Sequence, residues 1–244
     1  MKRILLTCGL FISLVSCDII NSTLQTVDLT QTENKPGLTN DEVISGLKEA
    51  LDVGIRNSVS ITSVTDGFLK NETIRLPFPQ DAIKVKEKAI ELGLSGQVDK
   101  FETTLNRAAE EATKEALPIF KDAILNMSVQ DGFSILKGGD GAATKFLKDQ
   151  TTSKLILAFS PKVKEATSKV KLTESWTPII TKYNQVMTLT GGQKLNPDLD
   201  AYITERAITG LFYMVEKEEN KIRKDPGARV TDILIKVFGS LTNK

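Results

Sequence analysis

The sequence predicts an all-α protein, folded as a single multi-helix bundle with one extended loop or short hairpin near residues 61–79. After residue 38, apolar residues recur every three or four positions along most of the chain, which is the spacing of one helix face. Capping residues precede several of these segments, and the alternation typical of a strand occurs in one short stretch. With 40% hydrophobic and 26% charged residues, a chain of 244 residues can bury one substantial core.

The first 16 residues have the pattern of a secretory signal peptide. A basic start, Met1-Lys2-Arg3, precedes an apolar run from Ile4 to Val15 that is too short for a permanent membrane span. The run ends in Leu14-Val15-Ser16-Cys17, which resembles the bacterial lipobox, where the cysteine is acylated and becomes the new N-terminus. We therefore expect residues 1–16 to be a lipoprotein signal peptide and Cys17 to carry fatty acyl chains such as palmitate.

Residues 17–37 are expected to form a lipidated tether. They contain no aromatic residue and no sustained helical period, and they end in Lys35-Pro36-Gly37. A flexible chain of this length spans roughly 25 Å on average, at about 5–6 Å times the square root of the residue number. The helical domain is then predicted over residues 38–244.

The first helix of the domain has the clearest start. Thr39 and Glu42 have the spacing of a capping box, and Leu38 and Val43 that of a hydrophobic staple. An apolar series at helical spacing follows directly, at Val43, Leu47, Leu51, Ile55 and Val59.

The helical pattern stops at residues 61–80. Asp66-Gly67 is a strong turn signal, and alternation follows at Ile74, Leu76 and Phe78. Because Pro77 and Pro79 cannot donate to a sheet ladder, we expect an extended loop or a short edge hairpin pinned across the bundle.

Further helices are predicted at 80–92, 96–126, 128–136, 141–150, 152–171, 173–188, 197–223 and 226–239, with Pro118 kinking or splitting the second of them. Their starts are indicated by a capping residue or by proline at the first position, at Ser128, Ser160-Pro161, Asn196-Pro197 and Asp225-Pro226. The last helix has one apolar stripe that should dock on the core, made of Val230, Ile233, Leu234, Val237 and Phe238.

Composition excludes several classes of function. The 32 basic and 31 acidic residues give no excess charge to attract nucleic acid, and removal of Lys2 and Arg3 with the signal peptide leaves a formal charge of −1. The chain has no histidine, and its only cysteines are Cys8 and Cys17. Histidine-based triads and the usual zinc sites are therefore excluded, and we expect no cofactor and no metal.

The densest charge run joins the last two predicted helices, and its best-spaced ion pair is Glu219 with Arg223. We expect a polar cluster here, in which Arg223, Asp225 and Arg229 converge on one another or on Arg75 and Arg206. Such a cluster is either a buried structural network or the best candidate for an anion-binding site.

Three other patterns have structural and functional interpretations. The glycine-rich stretch 138–145 looks like a phosphate cradle, but it is better explained as a turn in which Asp140 caps the next helix. Asn106 and Arg107 lie on a helix rich in alanine, where we expect close packing and a surface ion pair of Arg107 with Glu110 or Glu111. Glu174-Ser175 resembles the catalytic pair of helical lytic transglycosylases, although it also fits a helix start.

Several motifs in consistent order resemble the bacterial domain-of-unknown-function family 4197, over about residues 38–240. They are DGF at 66–68, RLPFP at 75–79, NRAAE at 106–110, GGDGAAT at 138–144, ERAITGLF at 205–212 and EENKIRKDPGARVTDILIKVFG at 218–239. The resemblance implies a helical envelope domain, frequently lipidated, without an established activity.

The leading hypothesis is a non-enzymatic binding or scaffold module, anchored on the extracytoplasmic side of the inner or the outer membrane. Its partners would be the bilayer, reached through Cys17, and an envelope protein, a glycan or a small ligand. Two alternatives stay open: a peptidoglycan-cleaving enzyme that uses carboxylates alone, with Glu174 as its acid, and a helical carrier of an apolar ligand.

Overall fold

A computed structural model describes residues 39–169, 172–196 and 198–242, with the side chains of 173–175 and 240–242 left out. The α-helices in this part of the chain are α1 (Asn40–Thr62), α2 (Ile83–Glu91), α3 (Ser95–Thr113), α4 (Ala116–Leu125), α5 (Val129–Lys137), α6 (Ala142–Lys169), α7 (Leu172–Thr190), α8 (Leu199–Lys224) and α9 (Asp232–Thr242). Short 3-10 turns occur at Gln80–Ala82 and Pro226–Ala228. The described residues contain no strand, so the predicted all-α class is confirmed.

Local capping chemistry starts two helices as predicted. At α1, the Thr39 hydroxyl accepts from the Glu42 amide, and the Glu42 carboxylate accepts from the Thr39 amide at 2.8 Å. At α5, Ser128 and Asp131 form the same reciprocal pair. Each box satisfies amides that the first turn of a helix leaves without a partner.

The core lies where α8 packs against α1, α3 and α6. The predicted apolar face of α1 is turned into it, and Leu47 and Ile55 are each 1% exposed. The small side chains of α3, Ala108, Ala109 and Ala112, are fully buried, which lets the neighbouring helices approach closely, as predicted. No helix in the described ranges is both long enough and apolar enough to cross a bilayer.

The predicted helices 141–150 and 152–171 are one continuous helix, α6, with Pro161 inside it. The prediction of a start at Ser160-Pro161 is therefore wrong. Proline removes one backbone hydrogen bond from a helix interior. However, Pro161 is exposed, and a buried stripe with four-residue spacing runs past it through Leu155, Phe159 and Val163. Burial of this uninterrupted stripe outweighs the local loss, because most helical stability comes from packing of the apolar face.

Three other boundaries differ from the predictions. The long second segment breaks after Thr113, so that Pro118 lies in the first turn of α4, where the missing amide costs no hydrogen bond. At α8 the cap is Asp198, whose side chain accepts from the amide of Ala201, rather than Asn196. Asp225-Pro226 starts a 3-10 turn and α9 begins only at Asp232, which leaves Val230 outside the apolar stripe and 67% exposed.

Residues 63–79 form the predicted loop without a hairpin ladder. The loop lies close to α8, because a Cβ at Gly210 would meet Phe68 at 2.7 Å. Phe68, Leu76 and Phe78 of this loop are buried in the core. The loop therefore brings residues 77–82 beside the beginning of α8.

Candidate functional site

The loop 63–79 is held by a buried amide side chain of α3. Asn106 is fully buried, and its Oδ1 accepts from the amide of Leu76 at 2.8 Å. Its Nδ2 donates to the carbonyl of Leu76 at 2.9 Å and to that of Glu102 at 2.8 Å. Because the side chain satisfies both backbone groups of one loop residue, Asn106 is a structural clamp.

A second clamp lies one turn further along α3. The carboxylate of Glu110, 4% exposed, accepts from the amides of Phe68 and Leu69 at 3.1 and 3.2 Å. Arg107 donates to Glu110 and to Asp66, in both cases at 2.6 Å. The hydrogen bonds to Glu110 and then to Asp66 raise the pKa of Arg107. Of the two predicted partners of Arg107, Glu110 and Glu111, the structure shows Glu110, and because this carboxylate is buried the pair holds the loop rather than lying on the surface.

Arg75 and Arg206 lie near the end of this loop. Arg75 donates to Glu102 at 2.8 Å, and Lys86 donates to the other oxygen of the same carboxylate at 2.6 Å. Burial raises the pKa of the Tyr202 hydroxyl. The charge of Arg206, which lies beside this hydroxyl, partly offsets that increase. Both arginines thus have partners at this end of α8.

Glu219 organises the opposite end of α8. Its carboxylate accepts from the amides of Ala143 and Thr144 at 3.0 and 2.8 Å and from the Thr144 hydroxyl at 2.7 Å. These amides open α6, so the anion position at the helix N-terminus is filled by a side chain of the protein itself. Asp140, predicted to cap α6, instead pairs with Lys224.

The charge run around residue 223 is a structural network. Arg223 donates to Glu219 at 2.9 Å and to the carbonyl of Ile135 at 2.9 Å. Arg229 donates to the carbonyls of Ile222 and Arg223 at 3.1 and 2.8 Å, and so satisfies the last turn of α8. Asp225 accepts from the amide of Gly227 within its own turn.

Of the two predicted arrangements, Arg223 and Arg229 lie close together, whereas the convergence on Arg75 and Arg206 does not occur. Arg206 and Arg223 are separated by most of the continuous helix α8, about 25 Å at 1.5 Å per residue. Beside Glu219 and Arg223 there is a cavity of only about 20 Å³, which is space for one water molecule. The structure therefore divides the candidates into two groups, one near each end of α8.

A larger cavity, of about 230 Å³, lies between residues 79–82, α7 and the first turns of α8. We call it the α7–α8 cavity. Its wall contains apolar and aromatic side chains together with Asp81, Asp198 and Glu205. None of the three arginines Arg75, Arg206 and Arg223 is among the described residues that line it.

Trp176, in the wall of the cavity, belongs to an aromatic cluster. Trp176 of α7 packs on Phe101 and Phe78, with ring centroids 5.1 and 5.7 Å away. Trp176 is 5% exposed, and its Nε1 has no hydrogen-bond partner among the described residues. On the α8 side, the hydroxyl of Tyr202 donates to the carbonyl of Pro77 at 3.0 Å.

The three carboxylates differ in how they are engaged. Asp198 caps α8 through the amide of Ala201 at 2.9 Å. Asp81 and Glu205 are exposed, and neither has an ion-pair partner within 4 Å in the described ranges. Their charges are thus available to a molecule that enters the cavity.

Sequence reasoning missed this cavity. Trp176, Tyr202 and Asp81 come from separate parts of the chain, and none belongs to a motif with a recognisable spacing. The one signal was that Trp176 is the only tryptophan in the chain. Cys17 lies outside the described residues, and of Glu174 only the backbone, within α7, is described. No group of three potential metal ligands occurs in the described part of the chain.

The fold and the site define an all-α bundle domain with buried clamps at its loops and one small acidic cavity. The chain belongs to the family whose description is "Protein of unknown function (DUF4197)", and the family model matches residues 37–239. No curated protein and no solved structure matches the chain.

Proposed function

We propose that the protein is a membrane-anchored binding module of the bacterial envelope, which takes a small ligand into the α7–α8 cavity. The observation that carries the proposal is the wall of this cavity. It combines a mostly apolar surface with charged groups, Asp81 and Glu205, that have no ion-pair partner among the described residues. A concave apolar surface with a few polar groups is the usual composition of a ligand site.

The size of the cavity favours a small molecule over a macromolecule. A cavity of about 230 Å³ has room for several water molecules, and so for one small molecule. A ligand of this size would lie against Trp176 and Tyr202, which both line the cavity.

The N-terminal sequence supports the anchor. A basic start, an apolar run and Leu14-Val15-Ser16-Cys17 occur together, as in bacterial lipoproteins. Acyl chains on Cys17 would bury tens of methylene groups at about 0.8 kcal/mol each, so the lipid alone would hold the domain at a membrane.

Metabolic labelling tests the anchor. Cells that express the full chain are grown with radioactive palmitate, and the labelled protein is compared between wild type, Cys17→Ala and Cys8→Ala. We expect label in wild type and in Cys8→Ala, because Cys8 would leave with the signal peptide, and none in Cys17→Ala. Equal label in all three proteins, or in none, would contradict the anchor.

Native mass spectrometry tests the binding site. The full chain is incubated with a small-molecule extract of bacterial envelopes, separated from it and measured. We expect a retained ligand mass on wild type that is lost in Ala201→Phe, which fills the cavity, and kept in Thr209→Phe, on the exposed side of the same helix. The same adduct on both variants, or turnover without any adduct, would refute the proposed site.

A further inference from the structure

We infer that the α7–α8 cavity selects small organic cations, molecules with a protonated amine on an apolar body. The inference rests on the proposed function, because it names the class of ligand for the same cavity. It follows from the charges in the wall, from their pairing and from the aromatic residues beside them.

The charge of the cavity differs from that of the whole protein. The full chain is nearly neutral at +1. The cavity is lined by Asp81, Asp198 and Glu205, and its described lining residues include no lysine and no arginine. An anionic ligand would meet like charges on several sides, whereas a cation would be attracted to all three.

No lysine or arginine of the described residues forms an ion pair with these carboxylates. Arg206 lies beside the hydroxyl of Tyr202, and Arg75 and Lys86 share the carboxylate of Glu102. The charges of Asp81 and Glu205 are therefore left without a close counterion in the part of the chain described. Asp198 accepts a hydrogen bond from the amide of Ala201 and caps α8.

The aromatic wall adds a second preference. Trp176 and Tyr202 both line the cavity, and the electron-rich rings of these two residue types attract ammonium groups. An amine with a small aromatic or alicyclic body fits these features together.

Three probes of nearly equal size test the inference: phenethylammonium, the neutral 2-phenylethanol and the anionic phenylacetate. They are titrated into the full chain in a neutral detergent, and the emission of Trp176, the only tryptophan, is followed. We expect phenethylammonium to bind at least fivefold more tightly than 2-phenylethanol, and phenylacetate to bind most weakly, because one charge contact near the surface changes affinity about fivefold.

Matched double variants identify the carboxylates. Asp81→Asn with Glu205→Gln should weaken phenethylammonium binding fivefold or more and leave 2-phenylethanol binding unchanged. Glu72→Gln with Glu87→Gln removes the same charge from exposed positions outside the cavity, and it should change neither affinity.

Each negative result is informative. Equal affinity for the ammonium and the alcohol overturns the charge selectivity, although it leaves a cavity that binds small molecules. Unchanged ammonium binding in the cavity double variant overturns the role of these two carboxylates, and absence of any response overturns the inference as a whole. Failure of the anchor or of the binding module itself is measured separately, by the palmitate label and by the retained ligand mass.

Discussion

Replacement of Glu219 is the sharpest test of how this fold is held. The side chain is 6% exposed, and its carboxylate accepts hydrogen bonds from two amides and one hydroxyl at the start of α6 and from Arg223. Glu219→Ala removes all of these contacts at once. It also leaves the guanidinium of Arg223, whose side chain is 10% exposed, with the carbonyl of Ile135 as its remaining acceptor.

The expected cost follows from these contacts. Removing one partner of a buried ion pair costs about 3–5 kcal/mol, and each orphaned buried donor costs about 1–3 kcal/mol. Because Arg223 keeps one acceptor and water can enter the space that the side chain leaves, we expect a loss of about 3–5 kcal/mol rather than the full sum. A domain with a total stability of about 5–15 kcal/mol stays folded but is clearly weakened.

Urea denaturation measures this loss, with the far-ultraviolet circular dichroism and the emission of Trp176 as two probes of one transition. At a slope of about 2–3 kcal/mol per molar, the midpoint should fall by about 1–2.5 M. Glu216→Ala, a half-buried carboxylate on the same helix, is the control and should change stability by less than about 0.5 kcal/mol. If Glu219→Ala does not fold, Glu219→Gln, which keeps one acceptor oxygen, replaces it. A loss below about 1 kcal/mol, or an equal loss in Glu216→Ala, would refute the reasoning.

Three further predictions concern the loop after α1 and the start of α3. Hydrogen bonds from Lys70 and then Arg107 hold the pKa of Asp66 below its usual value of 3.8. The ionised carboxylate thus stabilises the folded state above that value, and this stability is lost as the pH falls through the lowered pKa. Asp66→Asn, which tolerates the positive φ of 71° at this position, should be less stable than wild type at pH 7, and the two thermal midpoints should converge at low pH. A difference that persists at pH 2 would contradict the ion pairs as its source. Gly67→Ala should destabilise by about 1–3 kcal/mol or more, because the new Cβ would meet the carbonyl oxygen of Ile61 at 2.2 Å. In Gly96→Ala the new Cβ would have no neighbouring atom within 4 Å. This substitution should stabilise helix α3 by about 0.5–1 kcal/mol in the same urea titration.

Features set by neighbouring residues could be predicted from the sequence. The boxes at α1 and α5 depend on side chains three residues apart, Thr39 with Glu42 and Ser128 with Asp131, so a local pattern contains all of the interaction. Pro161 was misinterpreted for the opposite reason. Its local effect is to start or break a helix, and only the buried stripe on the far side of α6, which depends on tertiary packing, keeps the helix continuous.

In the candidate site, too, interactions between sequence neighbours could be predicted, whereas those between distant parts of the chain could not. The pair of Glu219 with Arg223 was predicted, since it needs only helical spacing. That Glu219 also binds the amides of α6, some 75 residues earlier in the chain, has no signal in the spacing of the sequence. The cavity is even harder to predict from the sequence, because Asp81, Trp176 and Glu205 meet only after α7 and the loop 63–79 have packed on α8.

The walls of the α7–α8 cavity are fixed by the same kind of contact on both sides. Asn106 binds the amide and the carbonyl of Leu76, and Tyr202 donates to the carbonyl of the next residue. Across the cavity, Asn184 binds the amide and the carbonyl of Leu195, in both cases at 2.8 Å. Such clamps hold both walls before a ligand arrives, so binding need not order either segment. Because the cost of ordering is subtracted from affinity, a cavity of this modest size can still bind a small cation usefully.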